Sequence, residues 1–182
     1  SGFHAVGTVR RASSRIALHD SVQGEMVTGV DVDQLDSLVA VFEKVQPDVV
    51  INCIGLVKQL ADANDPLVAL PINAMLPHRL ARLAALVDAR LIHVSTDCVF
   101  TGANGNYLES DQPDALDLYG RSKLLGEVDY PNAVTLRTSI IGTELGSAHG
   151  LVGWFLAQSG SVKGFTKAVF SGLPTAVLAQ VM

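Results

Sequence analysis

The chain of 182 residues has no long apolar run, no cluster of basic residues and only two cysteines. The apolar stretch 151–157 is too short to span a bilayer. A formal net charge of −5 without a basic run gives no electrostatic footprint for nucleic acid. Cys53 and Cys98 have neither CxxC nor metal-ligand spacing. We therefore expect two buried free thiols, no metal site and a cytoplasmic protein.

Short apolar runs alternate with amphipathic stretches along the chain. The patterns predict strands at residues 3–9, 26–30, 49–51, 91–94 and 134–137, and helices at 34–45, 72–89, 119–128 and 169–182. Strands that alternate with helices indicate βαβ units. The predicted fold is therefore an α/β protein with a doubly wound parallel sheet of the Rossmann type.

One part of a Rossmann-type fold is missing from the sequence. Such folds normally open with a strand, a GxGxxG turn and a helix whose N-terminus receives a pyrophosphate. The sequence contains no such element. We expect that the first βα unit, roughly 20 residues, is not part of this chain. Residues 1–142 would then be the rest of an NAD(P)-binding domain, and residues 143–182 the beginning of a substrate-binding lobe.

Polar residues that suit catalysis follow one of the predicted strands. The apolar run 91–94 ends in Ser95-Thr96-Asp97, and Tyr119 and Lys123 lie four residues apart in the next predicted helix. Ligands of open α/β sheets bind at the carboxyl ends of strands, and a spacing of four puts two side chains on one helix face. This pattern predicts that the hydroxyl of Thr96 faces the phenol and the ammonium.

The predicted trio has chemistry suited to reduction of a ketone. A phenol of pKa ~10 needs about 4 kcal/mol of phenolate stabilisation to titrate near neutrality. One ammonium ~4 Å away, at an effective dielectric constant of ~20, supplies about that much. We therefore expect Lys123 to lower the pKa of Tyr119, and Thr96 to hold a substrate oxygen while a hydride arrives at its carbon.

Each half of this pattern also has an ordinary structural explanation. A Tyr and a Lys at this spacing occur often by chance, and Ser-Thr-Asp after a strand is a common turn or helix cap. Their occurrence together, in this order and within one strand–loop–helix unit, favours a site.

Two segments also resemble a known family. The segments Ser-Thr-Asp-Cys-Val-Phe-Thr-Gly (residues 95–102) and Tyr-Gly-Arg-Ser-Lys-Leu-Leu-Gly-Glu (residues 119–127) resemble the extended short-chain dehydrogenase/reductases. They are most similar to the dTDP-4-dehydrorhamnose reductase group. The resemblance places the family's catalytic residues on Thr96, Tyr119 and Lys123. Cys98 stands where related nucleotide-sugar dehydratases usually have a glutamate, and this favours a reductase.

The resemblance and the strand ends together suggest where a cofactor would bind. Arg10 ends the first predicted strand, where an arginine accommodates the 2′-phosphate of NADP; a solvated surface arginine is the alternative. By resemblance, Asp31 and Val32 would contact the adenine, and Lys123 would hold the nicotinamide ribose. Likewise, the backbone of Ile54, Gly55 and Leu56 (residues 54–56) would run alongside the ribose and phosphates of the cofactor. The expected cofactor is NADP, with NAD as the alternative.

The resemblance implies a reductase that acts on the keto group of a nucleotide-activated sugar. Two alternatives remain: a nucleotide-sugar epimerase, and a non-catalytic NADP-binding regulatory subunit of the same fold. The expected partners are a nucleotide-sugar substrate and, as is frequent in the family, a second copy of the chain in a homodimer; neither nucleic acid nor a membrane is expected.

Overall fold

The computed structural model describes residues 2–12, 24–58, 61–144 and 150–182. The strands are β1 (Val6–Val9), β2 (Glu25–Thr28), β3 (Val49–Asn52), β4 (Arg90–Val94), β5 (Ala133–Leu136), β6 (Ile140–Ile141) and β7 (Leu173–Pro174). The helices are α1 (Leu35–Val45), α2 (Pro66–Ala69), α3 (Leu76–Leu86), α4 (Leu118–Leu125), α5 (Leu151–Leu156) and α6 (Thr175–Val181).

Every strand pair in the described chain is parallel. Strands β3, β4 and β5 form one sheet with β4 in the middle, and Ile51 pairs with Ile92, which pairs with Val134. Strands β1 and β2 form a second sheet, and the short strands β6 and β7 form a third. Parallel strands need crossover connections, and helices lie in the connections from β3 to β4, from β4 to β5 and from β6 to β7. The predicted parallel α/β fold of the Rossmann type is confirmed.

The hydrophobic core lies on one face of the three-stranded sheet. Leu91 of β4 is fully buried there against the apolar faces of α1 and α3. The residues buried in this core are Leu38, Phe42, Leu76, Leu80, Ala81, Ala84, Ala89, Leu91 and Val128. On the other face, Val49 and Ile51 are each about half exposed. The core therefore holds β4 rigidly and leaves its carboxyl end free to carry polar groups.

The helical segment before β4 contains a wider turn. Helix α2 begins at Pro66, α3 ends at Leu86, and a π-helical turn (Leu70–Met75) joins them. Pro71 has no N–H and would crowd the carbonyl four residues earlier in a regular α-helix, so a wider turn accommodates it. The helix thus begins earlier than the sequence predicted, and the π-helical turn carries the fully buried Asn73, which bonds to Leu56 and to Ser122 of α4.

The prediction of a helix over residues 169–182 is wrong in its first half. The N–H of Leu173 donates to the carbonyl of Ser139 at 2.9 Å, which makes Leu173–Pro174 a strand paired with β6. A Cβ on Gly172 would clash with the same Ser139 carbonyl, so only glycine allows this approach. Within residues 169–182 only α6 is helical, because Leu173 and Pro174 pair with β6 instead.

The two cysteines are free thiols, as expected, but the expected burial is wrong. Cys53 is exposed and Cys98 is half-buried, because each follows a strand end rather than lying within a strand. Within the described ranges, no helix is long and apolar enough to cross a membrane.

The end of α4 packs so closely on the π-helical turn that a side chain at Gly126 has no room. An added Cβ would clash with the carbonyl of Asn73 and lie 3.2 Å from Pro77. We predict that Gly126→Ala lowers the free energy of unfolding by about 1–3 kcal/mol, the usual cost of overpacking. Urea denaturation measures this. Gly164→Ala is the control, because nothing lies within 4 Å of its added Cβ; equal stability of the two variants would contradict the packing.

Candidate active site

The carboxyl end of β4 presents a buried hydroxyl. Thr96 is only 6% exposed and follows the last residue of the strand by two positions. Its Oγ1 accepts a hydrogen bond from the N–H of Cys98 at 3.1 Å and so caps a short 3₁₀ turn (Asp97–Val99). This cap fixes the direction of the Thr96 side chain at the strand end.

Helix α4 brings Tyr119 to the same place. Asp117 caps the helix, with its Oδ1 accepting from the N–H of Gly120 at 2.7 Å. The first turn of α4 lies against the 3₁₀ turn so closely that a Cβ on Gly120 would clash with the carbonyl of Cys98. The half-buried Tyr119 phenol consequently lies near enough to Thr96 for the threonine side chain to influence its pKa. The structure thus brings together two of the three predicted catalytic residues.

Lys123 lies one turn further along α4 and is almost completely buried, with 4% exposure. Its Nζ donates to the carbonyl of Val94, the last residue of β4, at 2.8 Å. Burial lowers the pKa of Lys123 to about 8, with the charges of Glu127 and Cys53 acting in the opposite direction. Lys123 therefore changes charge close to physiological pH while holding α4 against the strand end.

The expected electrostatic effect of Lys123 on Tyr119 is wrong. Burial raises the pKa of the Tyr119 phenol above its ordinary value, and hydrogen bonding to Thr96 and the charge of Lys58 oppose that rise. Lys123 is not among the groups that shift this pKa. Tyr119 and Lys123 both lie on α4, four residues apart as the sequence predicted. The Lys123 ammonium, however, donates to the Val94 carbonyl.

The predicted cofactor loop, residues 54–56, is anchored by two buried asparagines. Asn52 Oδ1 accepts from the N–H of Ile54 at 3.1 Å, and Asn73 Oδ1 accepts from the N–H of Leu56 at 2.9 Å. Between them Gly55 approaches the Lys123 ammonium so closely that an added Cβ would lie 3.5 Å from Nζ. The loop therefore joins the Tyr119–Lys123 side of the site.

The Asn52 anchor also determines the protonation of a buried histidine. With Asn52 Oδ1 engaged by a backbone N–H, its Nδ2 donates to Nδ1 of the fully buried His93 at 3.1 Å. Burial, assisted by the charge of Lys123, lowers the pKa of His93 to about 3. His93 is therefore neutral and carries its proton on Nε2. Through Asn52, His93 supports the loop.

The other predicted cofactor residues form a second group, at the ends of β1 and β2. Arg10 lies 3.4 Å from the carboxylates of both Asp31 and Asp33, with a side chain that is 66% exposed. Val32 is half-buried and packs against the core. The structure thus brings Arg10 and Asp31 together, and the arginine is already paired with carboxylates.

Several residues that support the site were not predicted from the sequence. Glu127 Oε1 accepts from Arg137 Nε at 2.9 Å and from Ser95 Oγ at 2.9 Å, and Glu127 Oε2 accepts from Arg137 Nη2 at 2.7 Å. This partly buried network holds Ser95, the residue next to Thr96. Asp117 carried a recognisable signal, since an aspartate just before a helix is a preferred N-cap. The role of Glu127 depends on residues that are distant in sequence.

The arrangement can now be compared with known proteins. The family described as RmlD substrate binding domain matches residues 6–168. The chain belongs to this family. The resemblance to extended short-chain dehydrogenase/reductases close to the dTDP-4-dehydrorhamnose reductase group is confirmed. Within the described residues, no group of three or more His, Cys, Asp or Glu side chains is placed to hold a metal ion.

Individual relatives show how far the similarity extends. The dTDP-4-dehydrorhamnose reductase of Mycobacterium tuberculosis is 37% identical over 135 residues, which cover 63% of this chain and 44% of that protein. Methionine adenosyltransferase 2 subunit beta of Rattus norvegicus is 35% identical over 128 residues, covering 70% of this chain and 35% of that one. The chain therefore spans less than half the length of these curated relatives.

A solved structure extends the similarity to the fold. The structure of a hypothetical dTDP-4-dehydrorhamnose reductase from Sulfolobus tokodaii superposes with a TM-score of 0.63 at 28% identity, covering 78% of this chain and 58% of that one. The parallel α/β fold described above is thus shared with a protein of that group.

The buried Lys123 gives a testable dependence of stability on pH. Its pKa is lower in the folded chain than in the unfolded one, so the unfolded chain binds more protons between about pH 8 and 10. The free energy of unfolding of the parent, relative to Lys123→Met, should rise over that interval by about 1.4 kcal/mol per pH unit. Urea denaturation at several pH values measures it. Lys44→Met replaces an exposed lysine and should show no such trend; the same flat difference for Lys123→Met would contradict the shift.

Proposed function

We propose that the protein is an NAD(P)H-dependent reductase of a keto group on a nucleotide-activated sugar. The observation that carries the proposal is the convergence of Thr96, Tyr119 and Lys123 at the carboxyl end of one central parallel strand. Two hydroxyls and a buried ammonium at one strand end suit proton transfer to a carbonyl. The similarity to a dTDP-4-dehydrorhamnose reductase supports the substrate class.

In the proposed reaction each residue has a separate task. When bound, the dinucleotide supplies the hydride that reaches the carbonyl carbon. Thr96 donates a hydrogen bond to the carbonyl oxygen, and Tyr119 gives that oxygen its proton, so that the ketone becomes an alcohol. Burial favours the protonated phenol, which is the form that a reductase requires before the transfer. Lys123 keeps α4 against β4, binds the nicotinamide ribose and carries a charge that falls as the pH rises through about 8.

The proposed cofactor position follows the strand ends. Residues 54–56 would pass the ribose and phosphates, because the exposed Gly55 leaves the backbone accessible. Asp31 and Val32 would lie beside the adenine. Arg10 would receive the 2′-phosphate of NADP, which requires its ion pairs with Asp31 and Asp33 to open. NADP is the proposed cofactor, with NAD as the alternative.

The proposed division of the chain falls just after β6. Residues 1–142 would belong to the cofactor-binding domain, and residues 143–182 would begin the substrate-binding lobe. Strands β6 and β7 form a sheet that spans this boundary, and a cavity of about 200 Å³ lies between β6, the start of α5 and Thr175 of α6. A nucleotide sugar is the proposed substrate, and a homodimer is the proposed assembly.

A non-catalytic role is the second candidate, because the chain is 35% identical to methionine adenosyltransferase 2 subunit beta of Rattus norvegicus, which is named as a subunit. Retention of Thr96, Tyr119 and Lys123 together favours the enzyme. An epimerase of the same fold would return its cofactor unchanged. Net oxidation of NADPH by nucleotide 4-keto sugars therefore distinguishes the reductase from both alternatives.

The central prediction concerns the phenol. Tyr119→Phe should lower the rate of NADPH oxidation with a nucleotide 4-keto sugar at least a hundredfold, since proton transfer by a positioned acid contributes about 10² to 10⁴. Its affinity for NADPH should stay close to that of the parent. Tyr107→Phe removes a phenol from an exposed loop, where Tyr107 stacks on Phe100, and should retain activity. Undiminished turnover by Tyr119→Phe would refute the assignment.

The cofactor preference gives a second prediction. Arg10→Gln should weaken NADPH binding about tenfold, because a charged hydrogen bond to the 2′-phosphate is lost, and should leave NADH binding unchanged. Isothermal titration with both dinucleotides measures this. Arg90→Gln is the control, because Arg90 lies at the amino end of β4, away from the carboxyl ends where the cofactor would bind. An equal loss for both dinucleotides, or no loss for either, would show that Arg10 does not read the 2′-phosphate.

A further inference from the structure

The carboxylate next to Thr96 is bonded to a hydroxyl from a distant part of the chain. Asp97 Oδ1 accepts a hydrogen bond from Oγ of Ser139 at 2.6 Å, and both residues are half-buried. Asp97 begins the 3₁₀ turn after β4, whereas Ser139 lies between β5 and β6. A bond of this length from a hydroxyl to a carboxylate is among the stronger hydrogen bonds in proteins. It therefore fixes where the Asp97 carboxylate lies.

The backbone of Ser139 is held in place as well. Its carbonyl accepts from the N–H of Leu173 in β7 and from the hydroxyl of Thr138, each at 2.9 Å. Gly172 packs against the same carbonyl so closely that a side chain there has no room. Because β7 holds its backbone, the Ser139 side chain has little freedom to follow a moving partner. Ser139 is thus a fixed donor, and Asp97 lies where that donor holds it.

The hydroxyl of Thr96 lies beside this carboxylate without a strong bond to it. Thr96 Oγ1 is 3.5 Å from Asp97 Oδ1, which is longer than the usual distance of about 2.5–3.0 Å between a hydroxyl and its acceptor oxygen. Oγ1 accepts from the N–H of Cys98 at 3.1 Å, and this bond uses a lone pair of the oxygen and not its proton. The proton of Thr96 is consequently available to another oxygen.

These distances indicate what Ser139 prevents. A half-buried carboxylate that loses its donor is in an unfavourable state until another donor replaces it. Thr96 Oγ1 lies close enough to Asp97 Oδ1 that a small rotation of the Asp97 side chain would bring the two oxygens within bonding distance. The threonine would then donate its proton to Asp97 and would no longer have it for a substrate.

We propose that Ser139 is a positioning residue for Thr96: its hydroxyl holds the Asp97 carboxylate away from Thr96 Oγ1, so that the threonine proton remains free for the oxygen of a substrate. The inference rests on the proposed function for its meaning in catalysis, because there Thr96 donates to the carbonyl oxygen that is reduced. The arrangement of the three side chains itself does not depend on turnover and can be tested without it.

Crystal structures of the variants test the hydrogen bonds directly. In Ser139→Ala, we expect the shortest distance from Thr96 Oγ1 to an Asp97 carboxylate oxygen to fall from 3.5 Å to about 2.7 Å. Thr138→Val is the matched control, because it removes a hydroxyl from the neighbouring residue that donates to the Ser139 carbonyl rather than to Asp97. This control should leave the distance between Thr96 and Asp97 unchanged.

Kinetics then separate a positioning role from a merely structural one. Ser139→Ala should lower kcat for NADPH oxidation with a nucleotide 4-keto sugar at least about tenfold, since loss of one donor to a developing oxyanion costs about 10² to 10³ in kcat. In a Thr96→Val background the same substitution should change kcat less than about twofold, because the hydroxyl through which it acts is already gone. A structural role would lower kcat in both backgrounds.

The outcomes that contradict the proposal are distinct from those that contradict the reaction. An unchanged distance between Thr96 and Asp97 in Ser139→Ala, or the same shortening in Thr138→Val, would overturn the positioning role. So would a shortened distance with undiminished kcat, or an equal loss of kcat in both backgrounds. If the parent oxidises no NADPH with any of these sugars, the proposed reaction fails, and the distances still decide whether Ser139 keeps Asp97 away from Thr96.

Discussion

The hydrogen bond from the Lys123 ammonium to the Val94 carbonyl is the constraint on which the site depends. It joins α4 to the carboxyl end of the central strand at 2.8 Å, in surroundings that exclude nearly all solvent. A charge in such a place is unfavourable unless it is bonded, and this is why its pKa falls to about 8. The position of α4, and with it that of Tyr119, follows from this contact and from the close approach of Gly120 to Cys98.

Around that contact, polar side chains are hydrogen-bonded to one another and to the backbone. The two asparagines, Asn52 and Asn73, each bond a backbone N–H of the loop after β3. Asn73 also donates to Ser122 on α4 at 3.2 Å, so the same side chain supports the loop and the helix. Glu127 joins Ser95 to Arg137 in the same manner. A polar network whose members bond one another favours one arrangement, which is what proton transfer between positioned groups requires.

The sequence predicted the site unevenly, and the reason is the range of the contacts. Thr96, Tyr119 and Lys123 were predictable because each occupies a local position, a strand end or one helix face, that a short pattern reveals. The partner of each side chain was not predictable in the same way. Lys123 donates to a strand carbonyl, and burial is the main cause of the raised pKa of Tyr119. Arg10 is occupied by Asp31 and Asp33, which follow a different strand.

The amino-acid sequence by itself determined the parallel α/β class, the central strand, the helix that follows it and the family to which the chain belongs. These depend on hydrophobic periodicity and on short motifs, which are local properties. Only the tertiary structure decided which groups are buried, which ion pairs form and which way the pKa of Tyr119 moves. Burial and pairing depend on residues from several strands meeting at one edge of the sheet, and one-dimensional spacing does not encode those distances.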